Sequence, residues 1–163
     1  MKTMPIKVGD RLPEAKFRVM TAEGPAAKST NDIFKGKKVA LFAMPGAFTG
    51  TCHKTHVPSV IQNIEALKAK GVDTIAITSV NDVFVMDAWK KASAAENVEF
   101  LSDGNGEFAK ALDLTFDGAG FGLGTRSKRY AMLVDDGVVK ALNVEEVPGK
   151  VEVSGGEALL RQL

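Results

Sequence analysis

A chain of 163 residues with 45% hydrophobic and 25% charged side chains can bury a sizeable core and is read as one domain over residues 1–163. Its 21 basic and 20 acidic side chains are interleaved and leave a net charge of +1, which argues against nucleic acid as a partner. No stretch approaches the ~20 apolar residues of a membrane span, and residues 1–10 lack a secretory apolar run. The single cysteine, Cys52, excludes an internal disulfide, so a cytoplasmic, reducing setting is the default expectation.

Residues 1–30 read as a lead-in with short strands, where Lys16–Met20 alternates polar and apolar side chains. Thr30–Phe34 has the pattern of a short capped helical turn before Gly36. Val39–Met44 is an unbroken apolar run and predicts a buried strand. From residue 51 to 70, Val57, Val60, Ile61, Ile64 and Leu67 recur at helical spacing, and Gly71 supplies a stop. Pro58 inside that pattern predicts a kink at its own position. Asp73–Ser79 predicts a second buried strand. Asn81 or Asp82 then caps a helix to about Ala95, with Val85, Ala88 and Trp89 on one face. Val98–Leu101 is a third strand and Glu107–Leu112 a short helix.

Tyr130–Val134 and Val138–Leu142 flank Asp135-Asp136-Gly137, whose Asp-Gly step favours a tight hairpin turn. Residues 155–163 suggest a terminal helix. The order β-α-β-α-β-α-β-β-α implies parallel strands with crossover helices, joined to an antiparallel hairpin. The expected class is α/β: a thioredoxin-like fold with a central mixed sheet flanked by helices.

The chemistry gathers in Pro45-Gly46-Ala47-Phe48-Thr49-Gly50-Thr51-Cys52. A strand feeds a short Pro/Gly turn that opens a helix, and the thiol lies in the first helical turn. Unpaired backbone N–H groups and the positive end of the helix dipole meet there, and both favour the thiolate. Thr49, three residues earlier, shares that turn. His56, one turn later, reads as a hydrogen-bonded structural histidine, and His53 as exposed. Cys52, His53 and His56 are too few for a structural zinc site, so no metal is expected.

Other motifs read as ordinary structure. Asp103–Glu107 lacks the closing Glu of a calcium loop and fits a turn and helix cap. Gly118–Gly124 does not have the dinucleotide spacing and follows no clear strand. Arg126–Arg129 is a basic run fit for a solvated or dimer-facing loop end.

Pro45-x-x-x-Thr49-x-x-Cys52 resembles the active-site signature of the peroxiredoxins, the thiol peroxidases. Cys52-x-Lys-Thr-His-Val-Pro58, Ala66–Val72, Ser79-Val-Asn-Asp82, Ser127–Tyr130 and Asp136–Glu145 extend the likeness to the fifth subfamily, which includes the plant type II enzymes. The likeness covers residues 4 to 163. It implies that Cys52 is the nucleophile and that the Thr49 hydroxyl bonds both the sulfur and a peroxide oxygen. It also implies that Pro45 shields the sulfur from water, and that Arg129, with Arg126 as fallback, is the cation beside it. Gly46, Phe48, Thr51 and Phe121 are the implied substrate-binding residues. The Thr51 N–H points at the peroxide, and Phe48, Phe121 and Leu123 form an apolar rim for alkyl hydroperoxides and for a second subunit of a homodimer.

Three positions depart from the family pattern: Gly50 often is Pro, His53 often is a small polar residue, and Ser154 lies near where some members carry a resolving cysteine. The intramolecular disulfide therefore does not carry over. No resident cofactor is implied; the reductant is an external thiol, glutathione with a glutaredoxin, or a thioredoxin. The expected function is reduction of hydrogen peroxide and organic hydroperoxides in antioxidant defence. A peroxide sensor that relays oxidation to a partner is the alternative, and an inert thiol in a thioredoxin-like module is a third reading.

Overall fold

The computed structural model describes residues 5–147 and 149–163. Lys16–Thr21 (β1) pairs antiparallel with Gly24–Ser29 (β2). Thr30–Phe34 (α1) follows, its N-cap Ser29 bonded to the Asp32 N–H while the Asp32 carboxylate accepts the Ser29 N–H, a reciprocal capping box. Lys38–Met44 (β3), Thr74–Ser79 (β4) and Glu99–Ser102 (β5) are parallel neighbours. Tyr130–Asp135 (β8) runs antiparallel to β3 and pairs in a hairpin with Val138–Val144 (β9). The main sheet has the order β2-β1-β5-β4-β3-β8-β9, a mixed sheet of seven strands among the described residues. Asp136 and Gly137, both at positive φ (49° and 82°), make the tight turn read from the sequence.

The unbroken apolar run of β3 has a direct cause. Ala40, Phe42 and Met44 face one core layer with Val57, Val60, Leu67 and Trp89. Val39, Leu41 and Ala43 face a second layer with Phe17, Phe34 and Phe108. A central strand covered on both faces has no polar side to show.

The segment read as one helix over residues 51–70 is three pieces. Cys52–His56 is a π-helical turn, closed by the Val57 N–H on the Cys52 carbonyl. Val57–Gln62 (α2) and Ile64–Ala69 (α3) follow, separated at Asn63. Pro58 sits in the first turn of α2, where its missing N–H is tolerated. The widened turn just before it gives its ring room, so the irregularity precedes Pro58. The second break was not expected: the Asn63 side chain donates to the Ser59 carbonyl (2.7 Å) and competes with the helical ladder.

Val83–Ala92 (α4) is capped by Asp82, whose carboxylate accepts the Val85 N–H. Its buried face is Val83, Met86 and Trp89; Ala88 is exposed and Val85 half-buried, which corrects the face read from periodicity. Glu107–Leu112 (α5) is as expected, and both Asp103 carboxylate oxygens accept backbone N–H groups at its start, from Phe108 and Ala109. Thr115–Asp117 (β6) and Thr125–Ser127 (β7) form a small antiparallel pair, too short for side-chain alternation to mark. The glycine-rich stretch does follow a strand, but one only three residues long. The terminal helix is short, Gly156–Leu160 (α6).

Candidate active site

The site lies at the C-terminal end of β3, where the chain leaves the sheet for the Pro45–Thr49 turn. Two distant segments hold that turn. Asn81, just past β4, accepts the Ala47 N–H on Oδ1 (2.9 Å) and a bond from Ser79 Oγ (2.6 Å). Arg126, on β7, donates through Nη1 to the Pro45 carbonyl (3.2 Å) and through Nε to the Leu123 carbonyl (2.9 Å). Within the turn, the Thr49 hydroxyl donates to the Gly46 carbonyl (2.7 Å). A Cβ on Gly46 would stand 2.9 Å from both Arg126 Nη1 and Thr49 Cγ2, so a larger residue would displace one of them. Phe48 takes a left-handed backbone (φ 60°), which swings its ring onto His53 (5.5 Å between centroids) and Trp89 (6.3 Å).

Cys52 is fully buried. Arg129 reaches it because β8 starts opposite β3: Tyr130 pairs with Ala43, two residues before Pro45. Arg129 Nη2 donates to Cys52 Sγ at 3.1 Å, and Nη1 donates to His56 Nδ1 at 3.0 Å. Arg129 as a whole is 3% exposed. The buried cation thus makes a direct hydrogen bond to the sulfur. His56, also fully buried, donates through Nε2 to the Ser154 carbonyl at 2.7 Å. Those two partners assign its tautomer, with hydrogen on Nε2 and a lone pair on Nδ1. Burial, and secondly the Arg129 charge, push its pKa down to about 3, so it is neutral beside the cation.

The fold thus brings Cys52, Thr49, Pro45, Gly46 and Arg129 together. Arg126 braces the turn and is no substitute for Arg129 at the sulfur. The Thr49 proton goes to Gly46 and not to the sulfur, so toward the pocket the hydroxyl offers lone pairs. The Thr51 hydroxyl donates to the Gly149 carbonyl (2.9 Å), which ties the helix start to the 149–154 loop. His53 is half-buried, not exposed as expected: its Nδ1 accepts the Trp89 indole N–H at 3.0 Å. Phe121 is 77% exposed on a 3-10 turn, Ala119–Phe121, whose neighbour Leu123 is linked to the Pro45 carbonyl only through Arg126. Asn81 and Trp89 support the site but carry no local signature, since their partners are 34 and 36 residues away. Among the described residues no cluster of His, Cys, Asp and Glu could hold a metal ion.

A family model described as Redoxin matches residues 7–160. The chain is 48% identical over 162 residues to Peroxiredoxin-2C of Oryza sativa subsp. japonica, covering 98% of this chain and 99% of that one. The solved structure of reduced Prx3 in complex with hydrogen peroxide from Vibrio vulnificus superposes with a TM-score of 0.92 at 51% identity, covering 96% of this chain and 98% of the other. Peroxiredoxin 5 from Alvinella pompejana superposes with a TM-score of 0.85 at 34% identity, covering 96% and 97%.

Proposed function

This chain belongs to the redoxin family and is a peroxiredoxin, a thiol-dependent peroxidase; on that premise we propose that Cys52 attacks hydrogen peroxide and organic hydroperoxides and that an external thiol restores it. The observation that carries the residue assignment is the Arg129 guanidinium 3.1 Å from a buried sulfur, one turn from the Thr49 hydroxyl.

The Cys52 thiolate attacks the terminal oxygen of the peroxide. The S–O bond forms as the O–O bond breaks, and the remaining oxygen leaves with the electron pair and takes a proton as water or alcohol. Sulfur becomes a sulfenic acid. Negative charge moves from sulfur onto oxygen during this step. Arg129 follows that movement, because its planar fork can bond the sulfur and an incoming oxygen together. Thr49 Oγ1, with its proton held by Gly46, accepts the peroxide O–H and sets the O–O axis toward the sulfur. Backbone N–H groups of the first helical turn, including that of Thr51, add donors. Pro45 offers no N–H and keeps water from the sulfur. Phe48 flanks the approach with an apolar ring that suits alkyl hydroperoxides.

With one cysteine in the chain, the sulfenic acid is resolved by a second molecule. Glutathione condenses with it, forming a mixed disulfide and releasing water. A glutaredoxin or thioredoxin thiol then takes the disulfide and returns Cys52 to the thiol. The reaction needs no resident cofactor in this scheme. A cytoplasmic setting with a reduced thiol pool belongs to the same reading. Peroxide turnover with glutathione and glutaredoxin, compared with thioredoxin, tests it, with Cys52→Ser as control. Mass spectrometry should find glutathione on Cys52 after peroxide treatment. Rapid oxidation with no turnover on any of these donors would point to a sensor instead.

A further inference from the structure

Glu145 follows β9, and its backbone N–H donates to the Arg129 carbonyl (3.0 Å), so the hairpin sets the two residues side by side. Its carboxylate is turned inward, with the residue 8% exposed. A single oxygen, Oε2, accepts four hydrogen bonds: from the N–H groups of Glu152, Val153 and Ser154, each 2.8 Å, and from Ser154 Oγ, 2.6 Å. Three successive N–H groups converging on one oxygen form an anion nest. Burial is the largest influence on this carboxyl and raises its pKa. The bonds from Ser154, Val153 and Glu152 together outweigh it and hold the group below its ordinary value, hence ionised at neutral pH. Ser154 is fully buried, and its carbonyl is the acceptor for His56 Nε2.

We propose that Glu145 is a positioning residue for peroxide reduction: by anchoring the turn at 152–154 it fixes the tautomer and tilt of His56, and through His56 it aims the Arg129 guanidinium at the Cys52 sulfur. The proposal rests on the reading of Cys52 as the reacting thiol. The connection is continuous from Glu145 Oε2 to the Ser154 N–H, from the Ser154 carbonyl to His56 Nε2, from His56 Nδ1 to Arg129 Nη1, and from Arg129 Nη2 to Cys52 Sγ. Each link constrains the next. A neutral imidazole has one N–H and one lone pair. If the Ser154 carbonyl drifted, the ring would lose the acceptor that keeps hydrogen on Nε2. The other tautomer would set an N–H against the Arg129 N–H and take from Nη1 the acceptor that helps to orient the guanidinium toward the sulfur. The Phe42 ring stands edge-on to His56 at 6.1 Å and offers no replacement acceptor. The Glu145 carboxylate makes its hydrogen bonds to the 152–154 turn, and its side chain reaches the sulfur through this chain of contacts.

Glu145→Ala removes the anchor, whereas Glu145→Gln keeps its shape and an acceptor oxygen but drops the charge. Two readouts apply: the single-turnover rate of Cys52 oxidation by hydrogen peroxide, and the pH at which the ultraviolet absorbance of the thiolate appears. Circular dichroism and cooperative melting check the fold. Glu145→Ala should lower the rate about tenfold or more and move the thiolate absorbance to higher pH, with Glu145→Gln between it and the parent. His56→Phe should show the same two changes, and Glu145→Ala combined with His56→Phe should be no worse than the more affected single variant, as expected for one network. A folded Glu145→Ala with the parent's rate and thiolate profile would overturn the proposal, and so would losses that simply add. Should Glu145→Ala fail to fold, Glu145→Gln and Ser154→Ala decide on the same readouts, and parent-like values in both refute it. If the parent protein itself leaves peroxide unreduced, the peroxidase assignment fails, while the thiolate profile still reports on the anchor.

Discussion

At Thr49 the direction of one proton decides the chemistry. The hydroxyl donates to Gly46 at 2.7 Å, so only its lone pairs face an incoming peroxide. Thr49→Val keeps the shape and deletes those lone pairs. Stopped-flow oxidation of the reduced variant should be slower by about tenfold or more, equivalent to ~1.4 kcal/mol of barrier, with Thr49→Ser recovering most of the rate. A rate near the parent's for Thr49→Val would remove this residue from the mechanism. His56 supports a prediction of a different kind. Burial and then Arg129 hold its folded pKa at about 3, against an ordinary value of 6.5. Between those values the unfolded chain binds a proton that the folded protein refuses. Stability from this group is therefore complete above about pH 6.5 and is lost as the pH falls toward 3. The urea midpoint should drop more on acidification in the parent than in His56→Phe. Glu145, whose lowered pKa acts in the same direction, and Asp103, whose carboxyl burial raises against the opposing Phe108 and Ala109 bonds, are present in both proteins. Equal acid sensitivity in the two proteins would mean that His56 titrates normally in the folded state.

Among the elements, the segment from Cys52 to Ala69 shows how far periodicity reaches. Its apolar spacing identified a helical face, and Val57, Val60, Ile64 and Leu67 are buried while Ile61 is half-buried. Periodicity is silent on ladder defects, because a π-helical turn or a break at Asn63 shifts the face too little to disturb a five-point pattern. The strands were legible for a firmer reason, since Val39–Met44 in β3 is an unbroken apolar run, β4 carries Ile75, Ala76 and Ile77 at its centre, and the Asp-Gly turn dictates the hairpin. The pair β6–β7 was not, having only three residues in each strand. Docking of α6 on α2 depends on a feature of this scale. A Cβ on Gly156 would lie 2.7 Å from the Ser59 carbonyl oxygen and 3.2 Å from Val60 Cα. Gly156→Ala should therefore force the helices apart at a cost of about 1–3 kcal/mol, lowering Tm by several degrees in calorimetry. An unchanged Tm would show that α6 can slide without loss.

For the molecule as a whole, Phe48, Phe84 and Phe121 stand 47%, 64% and 77% exposed. Of these rings Phe48 lies in the turn of the site, packed on His53 and Trp89. A homodimer burying the Phe48 and Phe121 rim is the assembly that the family likeness implies. Sedimentation velocity at micromolar concentration should show a dimer, and Phe121→Asp should shift it toward monomer. A parent protein that sediments as a monomer would end that reading. Among the described residues no helix is long and apolar enough to cross a membrane.

The chain alone determined its α/β class, the strand–turn–helix that carries Cys52, and Thr49 one turn before the thiol. Those follow from local patterns: apolar periodicity, turn chemistry, and neighbours within one helical turn. The roles of Pro45 and Gly46 came from family likeness. Arg129 was likewise reached through family likeness, and the contact that makes it matter spans 77 residues. Only tertiary structure decided that Arg126 braces the turn, that the Thr49 proton points to Gly46, that Trp89 holds His53, and that Glu145 closes a nest beside His56. Hydrogen-bond direction and burial are set by whichever distant backbone the sheet brings near, and spacing along the chain does not encode that geometry.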